Sequence, residues 1–222
     1  MTQVKENIKT ILAFLPSEVK LVCVSKTRTT EEMEEAYEIG IRDFGENKVQ
    51  EIISKYDNFH EDVKWHLIGH LQTNKVKYIV DKVALIHSLD SINLLEEIEK
   101  RYTSAKKIAE CLIQINIGDE ESKTGVALAD FETLLEACEK CTHVKIKGLM
   151  AIIPNVEPDE CTKYFKALKQ LYDEKKKINY KNISMDFLSM GMTSDYKIAV
   201  KEGANIVRIG EGIFGKRIYN NK

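Results

Sequence analysis

A lysine that directly follows an apolar run is the strongest candidate for chemistry in this chain. Lys26 comes after VKLVCVS (19–25), which is typical of a buried strand. A lysine that closes such a strand is partly desolvated, which favours the neutral amine that can form a Schiff base. The alternative is an ordinary lysine whose stem packs on the strand end while its charge reaches water. Lys26 alone leaves both interpretations open.

Two segments near the end of the sequence contain glycines, and the first of them also contains hydroxyl side chains. The first is SMGMTSD (189–195) and the second is RIGEGIFG (208–215). Glycine has no side chain to keep an anion away from backbone N–H groups, and serine or threonine adds a hydroxyl donor. Both segments therefore predict phosphate binding. A phosphate-binding segment together with a lysine that can form a Schiff base describes a site for pyridoxal phosphate.

Other reactive side chains have a plainer explanation. Cys138 and Cys141 have the C-x-x-C spacing, but no second pair follows, which favours two small residues near a helix end over a zinc or redox site. His66 and His70 have a spacing that suits metal ligands on a helix, but they lie in and after the strand-like KWHLI (64–68). Further polar residues lie at the ends of other strand-like runs and are interpreted as structural groups there, not as catalytic residues. They are His87, Ser88, Asn116 and residues 121–125.

The composition excludes several classes of protein. Of the 222 residues, 43% are hydrophobic and 31% are charged, as in ordinary globular chains, and the net charge of -2 argues against a dedicated nucleic-acid-binding protein. No apolar run approaches the roughly 18 residues of a membrane span, and no secretory signal pattern opens the chain. Five cysteines, an odd number, indicate reduced thiols. We expect a cytoplasmic protein that binds neither nucleic acid nor membrane.

Strand-like and helical segments alternate along the whole chain. The strand-like runs are rich in valine and isoleucine and several are apolar on both faces, as in a buried parallel sheet. There are eight of them: residues 19–25, 42–44, 64–68, 83–89, 110–117, 144–152, 184–190 and 205–209. Helical patterns separate them, including one over 73–82, and a further helix at about 3–15 precedes the first strand.

This alternation predicts one α/β domain over residues 1–222, a TIM-type (β/α)₈ barrel whose N-terminal helix completes the outer ring. A doubly wound open sheet is the alternative, but it needs fewer strands. In such barrels the active site forms at the carboxyl ends of the strands, and the loops after strands seven and eight commonly hold phosphate. The barrel therefore places Lys26 and the two phosphate segments on the same rim.

Eight motifs, in order along nearly the whole chain, carry a family resemblance. They are VCVSK (22–26), FGENKVQE (44–51), WHLIGHLQTNK (65–75), HSLD (87–90), QIN with ESKTG (114–125), KGLMAI (147–152), LSMGMTSDYKIAV (188–200) and VRIGEGIFG (207–215). In these motifs the chain resembles the pyridoxal phosphate homeostasis proteins, the YggS/PROSC group. The resemblance implies a barrel like the N-terminal domain of alanine racemase, without that enzyme's C-terminal β domain. It also implies pyridoxal 5'-phosphate as cofactor, bound as an internal aldimine.

The resemblance further assigns roles to individual residues. It makes Lys26 the aldimine lysine, Asn47 a rim residue beside the cofactor, and Arg208 the arginine that faces the pyridine nitrogen. The phosphate-binding positions that it implies are Ser189, Gly191, Thr193, Gly210 and Gly212. Two residues depart from the family pattern, which often has tyrosine at Lys48 and proline at His70, and both departures are expected at the rim.

The same site favours a carrier over an enzyme. An arginine disfavours protonation of the ring nitrogen, which weakens the electron sink that amino-acid chemistry needs, and the acid or base that completes racemisation lies in the β domain of alanine racemases. We expect a protein that holds pyridoxal phosphate and regulates its free level or delivery. Apo-enzymes are its candidate recipients, and a monomer is favoured over a dimer. A small racemase or lyase that uses Lys26 as its base is the main alternative, and a Schiff-base aldolase acting on a sugar phosphate is the second.

Overall fold

A closed barrel of eight parallel strands forms the centre of the protein, and each strand pairs with the next until β8 pairs with β1. The computed structural model describes residues 2–118 and 124–216. Within them the strands are β1 (Lys20–Val24), β2 (Asp43–Glu46), β3 (Lys64–Leu67), β4 (Leu85–Leu89), β5 (Ala109–Ile115), β6 (Val144–Ala151), β7 (Ile183–Ser189) and β8 (Ile206–Ile209). The predicted (β/α)₈ barrel is confirmed, and the open-sheet alternative is excluded because β1 and β8 close the ring.

Helices surround the barrel. They are α1 (Gln3–Phe14), α2 (Thr30–Tyr37), α3 (Val49–Tyr56), α4 (Ile92–Ala105), α5 (Phe131–Glu139), α6 (Pro158–Lys176), α7 (Tyr196–Lys201) and α8 (Glu211–Phe214). The N-terminal α1 packs against α8 and α2, and Asn7 donates from Nδ2 to the Ile213 carbonyl at 2.9 Å. This contact places α1 in the outer ring beside the single turn of α8.

One predicted helix is wrong. Residues 73–82 form only a short 3₁₀ helix, Thr73–Tyr78, instead of a full α-helix. Asp81 adopts a left-handed backbone with φ of 67°, which turns the chain toward β4. Val76 and Ile79 are the buried side chains of this stretch, so its apolar face is too narrow to stabilise a longer helix.

Two layers of apolar side chains hold the structure together. The larger layer lies between the outer face of the barrel and the helices and includes the aromatic side chains of Phe44, Trp65, Phe131 and Phe165. The smaller layer fills the barrel interior with Val22, Leu85, Leu112, Met150 and Ile206. Because successive residues of a strand point to opposite faces, polar residues at alternate positions of the same strands also enter the interior.

No helix within residues 2–118 and 124–216 has the length and apolar composition of a membrane-spanning segment.

Candidate functional site

A cavity of about 560 Å³ opens at the carboxyl ends of the strands. This volume lies within the range of small-molecule and cofactor sites. Five of the eight residues proposed from the sequence line it, namely Lys26, Asn47, Thr193, Arg208 and Gly210. Val24, Ile68, Ile152 and Met192 form apolar parts of its wall. The cavity therefore combines an amine, a guanidinium and hydroxyl groups within an apolar enclosure.

Lys26 is half-buried in the turn that follows β1, and its two neighbours are both anchored to other elements. The Ser25 hydroxyl donates to Glu46 Oε1 at 2.7 Å, and the Thr27 N–H donates to Glu51 Oε2 at 2.7 Å. Thr27 has φ of 63°, a left-handed conformation that a β-branched residue adopts only under constraint. The two hydrogen bonds supply that constraint and hold the Lys26 turn at the mouth of the cavity.

A buried ion pair lies behind this turn. Lys55 of α3 donates from Nζ to Glu46 Oε1 at 2.7 Å and to the Ser25 carbonyl at 2.9 Å. Glu46, at the end of β2, has no exposed surface, and its Oε2 atom has no hydrogen-bond partner within the part of the chain that the structure describes. Burial, opposed by the charge of Lys55 and assisted by the nearby Glu51 side chain, raises the pKa of Glu46 to about 7.

We expect Glu46→Gln to change how stability depends on pH. A carboxyl group whose folded pKa is raised binds its proton more tightly in the folded state, so it costs stability as pH rises from 4.5 to about 7. Between pH 4.5 and pH 8 the wild type should lose about 3 kcal/mol relative to the variant. Urea unfolding at pH 4.5 and pH 8 measures this difference, with exposed Glu96→Gln as control. Parallel curves for wild type and Glu46→Gln would contradict the assignment.

The loop after β7 presents two hydroxyl side chains to the cavity. Thr193 and Ser194 are exposed and line it together with Gly210. The loop is pinned from within because the Asp195 carboxylate accepts the N–H of Met192, and Thr193 Oγ1 accepts the Gly212 N–H at 3.1 Å. The hydroxyls at this corner of the cavity suit an anionic group.

The glycines of this corner are needed for close packing. A Cβ atom at Gly210 would lie 3.0 Å from the carbonyl oxygen of Val24, where β8 approaches β1. Gly191 has φ of 93°, and a Cβ there would lie 2.6 Å from that of Ala199. Gly191 and Gly212 are not among the residues that line the cavity. Their positions indicate that Gly191 shapes the loop and that the Gly212 N–H holds Thr193.

Arg208 of β8 forms part of the cavity wall although only 3% of its surface is exposed. Its NH1 group donates to Ser189 Oγ at 2.6 Å and its NH2 group donates to the Ala151 carbonyl at 2.9 Å. Burial lowers the pKa of Arg208 to about 10, opposed by the charge of Asp195, so the guanidinium stays charged at neutral pH. A fixed cation therefore faces the cavity.

Ser189 lies beneath the cavity instead of lining it. The side chain is fully buried, and its hydroxyl is shared between Arg208 and His87 Nδ1, at 2.6 and 3.0 Å. The sequence motif that contains Ser189 suggested phosphate binding, but this position indicates a different task, which is to hold Arg208.

Gln114 and Thr124 line the cavity but were not proposed as site residues from the sequence. Gln114 donates from Nε2 to Thr124 Oγ1 at 2.8 Å and to the Thr124 carbonyl at 3.0 Å. The alternation in ECLIQINI would have placed Gln114 on the same face as Leu112, which fills the barrel interior. Residues 119–123, which include Glu121, Ser122 and Lys123 of the expected mouth loop, lie outside the described residues.

The remaining sequence candidates are distributed differently. His70 is an exposed cavity-lining residue that contacts Asp90 at 3.2 Å, whereas His66 is buried inside the barrel. Lys48 is exposed at the start of α3. Cys138 and Cys141 are free and buried at the end of α5. Over the residues that the structure describes, no three His, Cys, Asp or Glu side chains are grouped so that they could hold a metal.

The chain is similar to known proteins over nearly its whole length. A family model described as "Alanine racemase, N-terminal domain" matches residues 1–217. A protein named pyridoxal phosphate homeostasis protein, from Aquifex aeolicus, is 45% identical over 202 residues, which are 90% of this chain and 88% of the relative. The solved structure of PipY from Synechococcus elongatus with PLP bound is 32% identical, has a TM-score of 0.88 and covers 96% of this chain and 100% of its own. An alanine racemase from Clostridium difficile 630, 13% identical with a TM-score of 0.79, shares the fold over 99% of this chain and 57% of its own.

Proposed function

The chain belongs to the pyridoxal phosphate homeostasis proteins, within the alanine racemase N-terminal domain family, and from this membership we propose that it binds pyridoxal 5'-phosphate and takes part in its homeostasis. The observation that carries the proposal is the cavity at the carboxyl ends of the strands. It brings together an amine from the turn after β1, hydroxyls from the loop after β7 and a buried guanidinium from β8. These are the groups that an aldehyde, a phosphate and a pyridine nitrogen require.

The donor set of the cavity fits each part of the cofactor. Lys26 is the amine that would bind the aldehyde covalently as a Schiff base, because its turn is held at the mouth by Ser25 and Thr27. The hydroxyls of Thr193 and Ser194 would bind the phosphate, close to Gly210 where no side chain intrudes. Asn47 and His70 contribute to the rim. Arg208 would lie against the ring nitrogen.

We infer a carrier and regulator instead of an enzyme. Pyridoxal phosphate supplies an electron sink for amino-acid chemistry, and the sink is strong when the ring nitrogen is protonated. Arg208 is charged at neutral pH and can only donate hydrogen bonds, so it would hold this nitrogen unprotonated. The protein would then retain the cofactor without turning over amino acids at an enzyme's rate.

We further propose that residues 1–222 act as one binding domain in the cytoplasm, as a monomer. All the cavity-lining residues come from a single barrel, and the five cysteines are free, which suits a reducing compartment. Apo forms of pyridoxal phosphate enzymes are the proposed recipients of the cofactor, because they bind the same molecule through the same chemistry.

A transfer experiment tests this function. The protein loaded with pyridoxal phosphate and freed of unbound cofactor should restore activity to an apo-enzyme that requires it, while the cofactor-free protein should not. Activity should return in proportion to the loaded protein added, up to about one cofactor for each barrel, since the cavity offers one Lys26. A loaded protein that keeps its cofactor in the presence of excess apo-enzyme would contradict a role in delivery.

A further inference from the structure

Buried polar side chains form a continuous chain of hydrogen bonds across the barrel interior. From the cavity downward, Arg208 NH1 lies 2.6 Å from Ser189 Oγ, and Ser189 Oγ lies 3.0 Å from His87 Nδ1. His87 Nε2 lies 2.9 Å from His66 Nδ1, and His66 Nε2 lies 2.9 Å from Asp43 Oδ1. The chain joins five strands, and none of its members except Arg208 lines the cavity.

The chain has only one consistent arrangement of protons that uses every donor. A guanidinium can only donate, so Ser189 Oγ accepts from Arg208 and gives its own proton to His87 Nδ1. His87 must then carry its proton on Nε2 and donate it to His66 Nδ1, and His66 in turn donates from Nε2 to the Asp43 carboxylate. Both imidazoles are therefore neutral, and both are Nε2–H tautomers.

The surroundings of the two histidines support the neutral state. Burial lowers the pKa of His66, although Asp43 opposes the shift, and Lys20 and Lys64 add to it. Burial lowers the pKa of His87 further, with contributions from His66, Arg208 and Lys20. Asp43 is the last member of the chain of hydrogen bonds, and Lys20 Nζ contacts its Oδ1 atom at 3.1 Å. This contact balances the negative charge of the Asp43 carboxylate.

A proton added to His87 would disrupt this arrangement. Nδ1 would then donate to Ser189, which already accepts from Arg208, and the Ser189 hydroxyl proton would lose the acceptor that it has in the chain. The neutral chain therefore holds Ser189 as an acceptor for Arg208. Ser189 Oγ and the Ala151 carbonyl then hold the NH1 and NH2 groups of Arg208. With these two groups fixed, the remaining donors of Arg208 keep one direction toward the cavity.

We propose that His66 and His87 are positioning residues which, through Ser189, hold the guanidinium of Arg208 in the orientation that meets the cofactor ring. The inference rests on the proposed function insofar as the ring nitrogen of pyridoxal phosphate is what Arg208 meets. The chain of hydrogen bonds itself belongs to the cofactor-free protein and can be measured there. Neither histidine lines the cavity, so their effect on the cofactor would be transmitted through Ser189 and Arg208.

The first test is NMR of the cofactor-free protein with ¹⁵N-labelled histidine. Two of the five histidines should show the neutral Nε2–H tautomer and should remain neutral well below the ordinary pKa of about 6.5. His66→Phe and His87→Phe assign the two signals. A signal from His87 that carries its proton on Nδ1, or that titrates near pH 6.5, would overturn the chain while leaving the proposed function intact.

The second test compares two buried hydroxyls on the same protein. Ser189→Ala removes the link to Arg208, whereas Ser88→Ala removes an equally buried hydroxyl of β4 whose oxygen has no partner among the described residues. Ser189→Ala should weaken binding by about tenfold, for pyridoxal phosphate and for pyridoxal alike, and Ser88→Ala should leave it unchanged. The pH at which the visible band changes should shift in Ser189→Ala but not in Ser88→Ala.

The histidine variants complete the design. His87→Phe keeps an aromatic ring but loses both nitrogens, so it should reproduce the binding loss and spectral shift of Ser189→Ala. His87→Gln supplies an oxygen that can accept a hydrogen bond and an NH₂ group that can donate one. It should therefore restore most of the binding affinity and most of the wild-type pH dependence of the band. Wild-type binding by His87→Phe would overturn the proposal. So would a Ser189→Ala loss confined to pyridoxal phosphate, since that result indicates direct contact with phosphate. A wild-type protein that forms no band with pyridoxal phosphate would overturn the proposed function and the role of Arg208 toward the ring.

Discussion

Lys26→Ala is expected to abolish the visible absorption band that develops when the wild-type protein is mixed with pyridoxal phosphate. The band requires a covalent bond between the cofactor aldehyde and a lysine amine, and Lys26 is the lysine that lines the cavity within the described residues. The corner of the cavity formed by Thr193, Ser194 and Gly210, which is proposed to hold the phosphate, is untouched by the change. The variant should therefore still bind the cofactor non-covalently and more weakly.

Lys48→Ala is the matched control for this experiment. Lys48 follows β2 as Lys26 follows β1, but it is exposed and starts α3 outside the cavity lining. Its variant should keep the complete band. A full band in Lys26→Ala would show that another lysine forms the bond, and Lys75 or Lys123 would become the candidates. Thermal unfolding of both variants shows whether a lost band reflects a lost fold.

Replacement of Arg208 is expected to produce the second large effect, a faster loss of the α-proton from amino acids bound at the site. In the wild type the charged guanidinium would keep the ring nitrogen unprotonated, so exchange should be slow and racemisation far below about 1 per second. Arg208→Glu would favour the protonated ring and should raise the exchange rate by about tenfold or more.

The measurement is proton–deuterium exchange of alanine and serine in heavy water, followed by NMR. Arg208→Gln, which is neutral and cannot repel the Ala151 carbonyl, serves if the glutamate variant fails to fold. Arg101→Gln on α4, remote from the cavity, is the control. Wild-type racemisation at enzyme-like rates would replace the carrier with a racemase that uses Lys26 as its base. Unchanged exchange in both Arg208 variants would remove Arg208 from the ring nitrogen.

The barrel could be predicted from the sequence because each strand has a local pattern of apolar residues that identifies it. A run such as VKLVCVS is apolar on both faces, and eight strand-like runs alternate with amphipathic helices. The rim that carries Lys26 and Thr193 follows from the fold, since all parallel strands end on the same side. The 3₁₀ helix at Thr73–Tyr78 could not be predicted, because its apolar spacing resembles that of an α-helix, while the left-handed turn at Asp81 depends on how the chain enters β4.

The polar interior could not be predicted because it depends on register between distant strands. His66 and His70 invite a metal-binding interpretation when they are read as neighbours four residues apart. In the barrel, β3 points His66 inward to Asp43 and His87, while His70 lies beyond the strand end beside Asp90. Ser189 likewise reads as a phosphate ligand within its motif, and only the pairing of β7 and β8 with the interior brings it under Arg208.

The intact mass of the protein after borohydride reduction shows whether Lys26 binds pyridoxal phosphate covalently. Reduction turns a Schiff base into a stable bond, so the cofactor stays attached and can be located by peptide mapping. We expect one pyridoxyl group for each chain, on the peptide that contains Lys26, and none in Lys26→Ala. An unmodified mass after reduction in the presence of pyridoxal phosphate, or a single modification on a different lysine, would contradict this expectation.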